Sequence, residues 1–131
     1  MKYLLDTVVW VWGVHSAERI NKVGLDILES GDQEVYFSAA SVWELSIKLR
    51  LGKLQLPELP ARYIPNRLAQ QGIRSLSVTQ THALRVYDLP THHHDPFDRL
   101  LIAQALTEEM VILTADRSFE RYEAEFVWCG K

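Results

Sequence analysis

The stretch DPFDRLLIAQALTEEMVILTAD, residues 95–116, predicts a long helix that leads directly into a buried strand. Residues 96–109 carry apolar side chains at helical spacing, and Asp95 and Pro96 favour a helix N-terminus. Residues 110–114 are apolar and rich in β-branched side chains, which is typical of a strand buried on both faces. A helix followed by such a strand indicates an α/β fold.

The rest of the chain repeats this alternation of short apolar runs and amphipathic stretches. The predicted strands are 2–5, 35–37, 73–78, 110–114 and 125–128. The predicted helices are 18–29, 42–51, 61–71, 80–87 and 96–109. Strands separated by helices predict an α/β fold with a mainly parallel sheet of about five strands and helices on both faces.

The composition is that of an ordinary globular protein, with 131 residues of which 47% are hydrophobic and 24% charged. We therefore expect one domain over residues 1–131. The longest apolar run, residues 8–14, is shorter than the ~18 residues of a membrane span, and Asp6 interrupts any N-terminal signal sequence. Because Cys129 is the only cysteine, no internal disulfide forms, and we expect a cytoplasmic location.

The charge balance is slightly acidic, with 14 Lys and Arg against 17 Asp and Glu and a net charge of −3. This balance argues against a protein that coats nucleic acid through its bulk charge. It leaves open a nuclease that meets the phosphate through a bound metal ion.

Four acidic residues stand where strands end or where the following helices begin. Asp6 directly follows the first predicted strand, and Asp116 follows the fourth. Glu44 and Asp98 lie in the first turns of predicted helices. Because the carboxyl ends of parallel strands meet at one edge of the sheet, we expect the four side chains to lie close together.

Each acid also has a local explanation as a helix cap. Asp6 and Asp116 are placed to cap the helices that follow them, and Ser41–Glu44 has the pattern of a capping box. Asp98 lies in a first turn, where the helix dipole favours an acid. Two like charges ~5 Å apart at an effective dielectric of ~20 repel by ~3 kcal/mol, which exceeds the worth of a cap.

A divalent cation would remove this repulsion, and hard carboxylate oxygens suit Mg²⁺ or Mn²⁺ better than zinc. Acidic clusters that hold such ions catalyse the in-line hydrolysis of phosphodiester bonds. The four acids therefore predict a metal-dependent nuclease.

Four segments have residues and an order typical of one protein family. They are MKYLLDT at 1–7, SAASVWE at 38–44 with Lys48 and LGKL at 51–54, LPTHHHDPFDRLLIAQA at 89–105, and LTAD at 113–116. In these segments the chain resembles the PIN-domain family, and within it the VapC-type ribonuclease toxins of bacterial toxin–antitoxin pairs. The third segment is the most specific of the four.

The resemblance implies a catalytic and metal-binding quartet of Asp6, Glu44, Asp98 and Asp116. Asp6 and Asp98 are expected to be the primary ligands of Mg²⁺ or Mn²⁺, directly or through water. Glu44 and Asp116 would complete the cage or hold a second ion. Asp98 rather than Asp95 matches the family pattern, which leaves Asp95 as a helix cap or as a contact of the metal or its waters.

The resemblance also implies RNA as the substrate, homodimers, and inhibition by a small VapB-type antitoxin encoded alongside. We expect part of the apolar run 8–14 to cover a dimer or antitoxin surface. The alternative is a non-catalytic PIN-like scaffold that binds RNA or protein.

Further polar residues lie near the predicted acidic site. Thr7 and Thr114 are expected to hydrogen-bond to the carboxylates or to coordinated water. Lys48 either forms an ordinary i,i+4 pair with Glu44 or contacts RNA phosphate, and Arg99 has a similar pair of interpretations.

The triplet His92-His93-His94 raises the alternative of a zinc site. His92 and His94 would share one face of an extended segment and could bind zinc together with Asp95, but Cys129 is remote. A structural loop beside the long helix is the simpler interpretation, and base stacking by an imidazole is a third.

Overall fold

The computed structural model describes residues 1–92 and 95–131. Its strands are β1 (Lys2–Leu5), β2 (Glu34–Ser38), β3 (Arg74–Leu76), β4 (Val111–Thr114) and β5 (Phe126–Trp128). They form one sheet in the order β3-β2-β1-β4-β5, and every neighbouring pair runs parallel. The predicted parallel sheet of about five strands is confirmed.

Helices connect successive strands. They are α1 (Thr7–His15), α2 (Lys22–Glu29), α3 (Ala39–Arg50), α4 (Pro60–Gln71), α5 (Gln80–Arg85) and α6 (Pro96–Glu108). Short 3₁₀ turns cover Ala17–Arg19, Val86–Asp88 and Arg117–Arg121. Within the described part of the chain, no helix is both long and apolar enough to cross a membrane.

Alternate residues of β1 point to opposite faces of the sheet and build two apolar layers. Leu5 is buried on one face in a layer that includes side chains of α1, α2 and α4. Leu4 is buried on the other face with Leu101 of α6 and Ile112 of β4. The predicted placement of helices on both faces is therefore confirmed.

The apolar run 8–14 belongs to α1, a helix that is not among those predicted from periodicity. Trp10 is buried, its ring centroid lies 5.4 Å from that of Phe37, and its Nε1 donates to Gln71 Oε1 at 3.0 Å. Val8 is 39% exposed. Most of the run is thus covered by the chain itself, and its predicted role in partner binding stays a prediction.

The helix predicted over 18–29 begins four residues later, at Lys22. Asn21 caps it, because its Oδ1 accepts the Gly24 backbone N–H at 2.8 Å while its Nδ2 donates to the Trp128 carbonyl at 2.8 Å. Asn21 therefore ties the start of α2 to the end of β5. Ile20 precedes the helix instead of lying on its apolar face.

Two helical glycines predict opposite effects of an alanine substitution. A Cβ at Gly24 would lie 2.9 Å from Ile20 Cγ2 and 3.0 Å from Cys129 Sγ, whereas a Cβ at Gly13 would meet only Ile20 Cδ1, at 4.0 Å. Gly24→Ala should therefore destabilise by about 1–3 kcal/mol through overpacking. Gly13→Ala should stabilise by about 0.5–1 kcal/mol through helix propensity. Urea unfolding of the two variants tests this, and a stabilised Gly24→Ala would contradict the tight contact at α2.

Candidate functional site

The predicted acids meet at the carboxyl edge of the sheet, around a cavity of about 520 Å³. Asp6 follows β1, Asp116 follows β4, and Glu44 and Asp98 come from α3 and α6. Asp95, the residue before α6, also lines this cavity. We call it the acidic cavity below. The strand order explains the meeting, since β2 and β4 flank β1 on either side.

The Asp6 side chain is held by a hydrogen bond from the neighbouring strand. Asp6 occupies the N-cap position of α1, but its side chain makes no capping hydrogen bond. Its Oδ2 instead accepts from Thr114 Oγ1 at 2.8 Å. Asp6 thus stands at the N-cap position that the sequence predicted, but without the side-chain hydrogen bond of a cap.

The two central carboxylates have raised pKa values. Burial raises the pKa of Asp6 to about 6, against the lowering effect of the Thr114 hydrogen bond. Burial also raises the pKa of Asp98 to about 8, and the negative charges of Asp6, Asp95, Glu44 and Asp116 add to the effect. The acids are thus close enough to disfavour each other's ionisation when no cation is bound.

Glu44 has one paired and one unpaired carboxylate oxygen. Its Oε2 accepts from Lys48 Nζ at 3.0 Å, so the predicted i,i+4 pair is present. Its Oε1 is buried and has no hydrogen-bond partner among the described residues. A buried unpaired carboxylate oxygen at the wall of a cavity is costly, and a cation in the cavity would give it a partner.

The capping box predicted at Ser41–Glu44 is wrong because α3 starts earlier. Ser38 is the cap of α3, and its hydroxyl accepts the Ala40 backbone N–H at 3.0 Å. Ser41 therefore lies inside the helix, where its Oγ accepts from Thr7 Oγ1 at 2.8 Å. This contact joins α1 to α3. Because the Thr7 hydroxyl donates to Ser41, it does not make the contact with a carboxylate that was predicted for it.

Asp116 and Asp95 do cap the turns that follow them. Asp116 Oδ1 accepts from the Ser118 backbone N–H at 2.9 Å and from Ser118 Oγ at 2.7 Å. Asp95 Oδ1 accepts the Phe97 backbone N–H at 2.9 Å. Capping fixes both side chains in orientation, so it is compatible with a position on the wall of the acidic cavity.

The described carboxylates surround the cavity without closing on one point. Within residues 1–92 and 95–131, no three His, Cys, Asp or Glu side chains are already arranged as ligands of a single metal ion. His92 packs edge-to-face on Tyr122 at 5.4 Å, as in a structural loop, and the zinc prediction also involves His93 and His94, which lie outside the described residues.

Comparison with known proteins identifies the family. The family model described as the PIN domain matches residues 3–125. The chain belongs to the PIN domain family. A segment of 67 residues is 39% identical to Ribonuclease VapC16 of Mycobacterium tuberculosis, covering 51% of this chain and 47% of that protein. The chain therefore matches about half the length of this relative.

Solved structures share the PIN fold over nearly the whole chain. VapBC2 from Rickettsia felis, bound to a promoter DNA fragment, gives a TM-score of 0.76 at 16% identity over 98% of this chain and 99% of that chain. VapBC-1 from nontypeable Haemophilus influenzae gives 0.68 at 19% identity over 98% of both chains. At these identities the likeness shows the fold.

Four basic residues of this PIN domain that lie near the acids divide into two groups by what they contact. Lys48, Lys53 and Arg117 line the acidic cavity. Arg99 instead donates to the backbone carbonyls of Val86, Leu89 and Pro90, at 2.7–3.5 Å, so it fastens the loop before α6. The substrate contact considered for Arg99 stays a prediction. Arg117 was missed as a site residue, although it directly follows Asp116.

Thr114 forms hydrogen bonds with both strand-end acids of the PIN domain, Asp6 and Asp116. The substitution Thr114→Val replaces only its hydroxyl. The hydroxyl donates to Asp6 and accepts the Asp116 backbone N–H at 3.0 Å. Thr114→Val should cost about 1–3 kcal/mol of unfolding free energy, because buried partners lose their hydrogen bonds. It should also raise the pKa of Asp6 further, since the hydroxyl stabilises the ionised form. Urea unfolding and NMR titration test both effects, and an unchanged Asp6 titration would contradict the contact.

Proposed function

We propose that this PIN domain is a metal-dependent endoribonuclease that hydrolyses phosphodiester bonds in RNA, with residues 1–131 acting as one nuclease domain. The observation that carries the proposal is the acidic cavity itself. Carboxylates from four separate segments of the chain line it, and burial and mutual charge raise the pKa of Asp6 and Asp98. Structural carboxylates gain nothing from such crowding, whereas ligands of a cation need it.

The donor set fits Mg²⁺ or Mn²⁺, because the acids offer hard oxygen ligands and no cysteine lines the cavity among the described residues. Asp6 and Asp98 would be the primary ligands, with Glu44 Oε1 and Asp116 completing the site. A bound divalent cation supplies a coordinated water of lowered pKa and neutralises the charge that develops on the phosphate. These roles are part of the proposal.

The chain's own residues hold the acids in place for this chemistry. Thr114 fixes Asp6 through its hydroxyl, and Lys48 orients Glu44 so that Oε1 is left for the cavity. Such positioning partners keep ligands in productive orientation. Because Asp6 is only 3% exposed, its carboxylate sits in a partly dry environment, where its electrostatic interactions are strong.

The relatives support the finer parts of the proposal. One is named a ribonuclease, and two of the solved structures with this fold are of VapBC proteins. We infer that this chain is the toxin of a bacterial toxin–antitoxin pair, that it is inhibited by a VapB-type antitoxin, and that it forms a homodimer in the cytoplasm. The exposed apolar side chains Val8 and Trp43, which is 61% exposed, are surfaces that such partners could cover.

A cleavage assay on total bacterial RNA tests the proposal. Protein freed from any co-purified antitoxin should cut RNA with Mg²⁺ or Mn²⁺ and should be inactive with EDTA. Asp6→Asn should be inactive in both conditions while remaining folded by circular dichroism. Equal cleavage with and without EDTA would contradict the metal-dependent mechanism, and inactivity of the antitoxin-free protein with both metals would favour the scaffold.

A further inference from the structure

The carboxylates of the acidic cavity would repel an anionic substrate such as RNA. Basic residues on the cavity wall would offset this repulsion. Lys48 is already paired with Glu44. Lys53 has no ion pair among the described residues and is exposed in the turn after α3. Arg117 is the third basic residue of the wall, and it contacts both an aromatic ring and a carboxylate.

The Arg117 guanidinium lies over an aromatic ring. Its Cζ lies 3.8 Å from the centroid of the Trp128 ring, and Nη1 donates to Glu120 Oε1 at 2.8 Å. Stacking on a ring occupies the face of the guanidinium and leaves its N–H edge for hydrogen bonds. With five N–H donors, the group keeps more donors than Glu120 can accept.

The Trp128 platform is itself fixed. Its carbonyl accepts from Asn21 Nδ2, and a Cβ at Gly130 would lie 2.8 Å from ring atom Cζ2. The ring therefore lies against the Gly130 backbone on one side and carries Arg117 on the ring face. This support lowers the entropy that an arginine loses when it binds an anion.

Lys53 and Arg117 reach the acidic cavity from different parts of the fold. Thr114 of β4 is paired with Trp128 of β5, which places Arg117 on the β4–β5 side. Lys53 follows α3, the helix that begins at the end of β2. Lys53 and Arg117 therefore come from different segments of the chain, and both line the cavity that Asp6 lines.

We propose that Arg117 is a substrate-positioning residue that binds a backbone phosphate of the RNA strand beside the bond being cut, with Lys53 as a second basic contact on the wall of the same cavity. This inference rests on the proposed function, since it names how that site holds its substrate. The simpler alternative is that Arg117 only forms a surface ion pair with Glu120, at 60% and 48% exposure of the two side chains. Such exposed pairs contribute little to stability.

Arg117→Gln and Arg121→Gln form a matched pair of variants. Arg121 lies in the same 3₁₀ turn, is exposed, and does not line the acidic cavity. Binding of a fluorescein-labelled pool of random single-stranded RNA, about 20 nucleotides long, is measured at several salt concentrations in an Asp98→Asn background that cannot cleave. Arg117→Gln should weaken binding about tenfold and reduce the slope of log K against log salt by about 0.7, the value for one phosphate contact on a single strand.

Arg121→Gln should leave the affinity and the slope within error of the parent. Arg117→Lys keeps the positive charge but loses the planar guanidinium with its N–H edge. It should therefore keep the salt slope of the parent and bind RNA with an affinity between those of the parent and Arg117→Gln. In the active background, Arg117→Gln should lower kcat/KM about tenfold through KM, as expected for the loss of uniform substrate binding.

The outcomes separate this inference from the proposed function. Equal slopes and equal KM for the two glutamine variants, in a protein that cleaves RNA, would overturn the role of Arg117 and leave the nuclease intact. A slope change confined to Arg117→Gln in a protein that never cleaves RNA would support the phosphate contact and overturn catalysis. A parent that binds no RNA at all would overturn the inference as well.

Discussion

Replacing Asp98 by asparagine is expected to abolish RNA cleavage while it makes the metal-free protein more stable. Loss of a partner that merely orients a metal ligand typically costs 10–100-fold in activity, so loss of a primary ligand should cost about 10³-fold or more. The substitution is nearly isosteric and leaves the Asp95 cap of α6 in place. Cleavage of a defined RNA with Mn²⁺ measures the loss.

The gain in stability has the same cause as the proposed metal binding, namely the crowding of carboxylates around Asp98. The raised pKa of Asp98, about 8, means that its ionised form is unfavourable in the folded state. Asparagine carries no charge, so the melting temperature at pH 8.5 in EDTA should rise. Asp26→Asn on α2, whose exposed carboxylate pairs with Lys22, should change neither property. Full activity of Asp98→Asn would favour a non-catalytic scaffold over a nuclease.

The second large effect is a loss of stability with rising pH in the metal-free protein. Asp6 and Asp98 have folded-state pKa values of about 6 and about 8, above the ordinary 3.8 of an unfolded chain. Between pH ~4 and ~8 the folded state therefore binds more protons than the unfolded state, and stability falls as pH rises. Because the cavity opens to solvent, we expect about 2 kcal/mol from this source, or about 5–10 °C in melting temperature.

Melting curves of the wild type and Asp98→Asn in EDTA, from pH 5 to pH 8.5, isolate this effect from other titrating groups. The difference between the two proteins should widen as pH rises. Mn²⁺ at about 100 times its Kd should restore about 2.7 kcal/mol to the wild type at high pH and much less to the variant. A difference that stays constant across the pH range would show that Asp98 is not electrostatically strained.

The sheet could be predicted from the sequence because its strands are short, apolar and separated by helices with clear periodicity. The position of the acids followed from the same pattern, since a residue directly after a parallel strand has little freedom in where it lies. Asp6 and Asp116 are examples, and both line the acidic cavity. The resemblance then favoured Asp98 over Asp95 as the predicted metal ligand, and both side chains line the acidic cavity.

Features that depend on tertiary contacts could not be predicted. Residues 8–14 are apolar on every side, so their sequence has no helical periodicity. They nevertheless form part of α1, in which Trp10 packs on Phe37 of β2. Ser41 matched a capping box, but Ser38, three residues earlier, is the cap of α3. The role of Arg117 depends on Trp128, which lies on a neighbouring strand and leaves no local signal in the sequence.

The most direct test of the metal-dependent site is the anomalous scattering of Mn²⁺ in a crystal of the protein grown or soaked with that ion. The proposal predicts a peak inside the acidic cavity, within coordination distance of Asp6 and Asp98, that is absent from crystals of Asp98→Asn. A Mn²⁺ peak elsewhere on the molecule, with the cavity empty at saturating metal, would contradict the proposal that these carboxylates form the catalytic metal site.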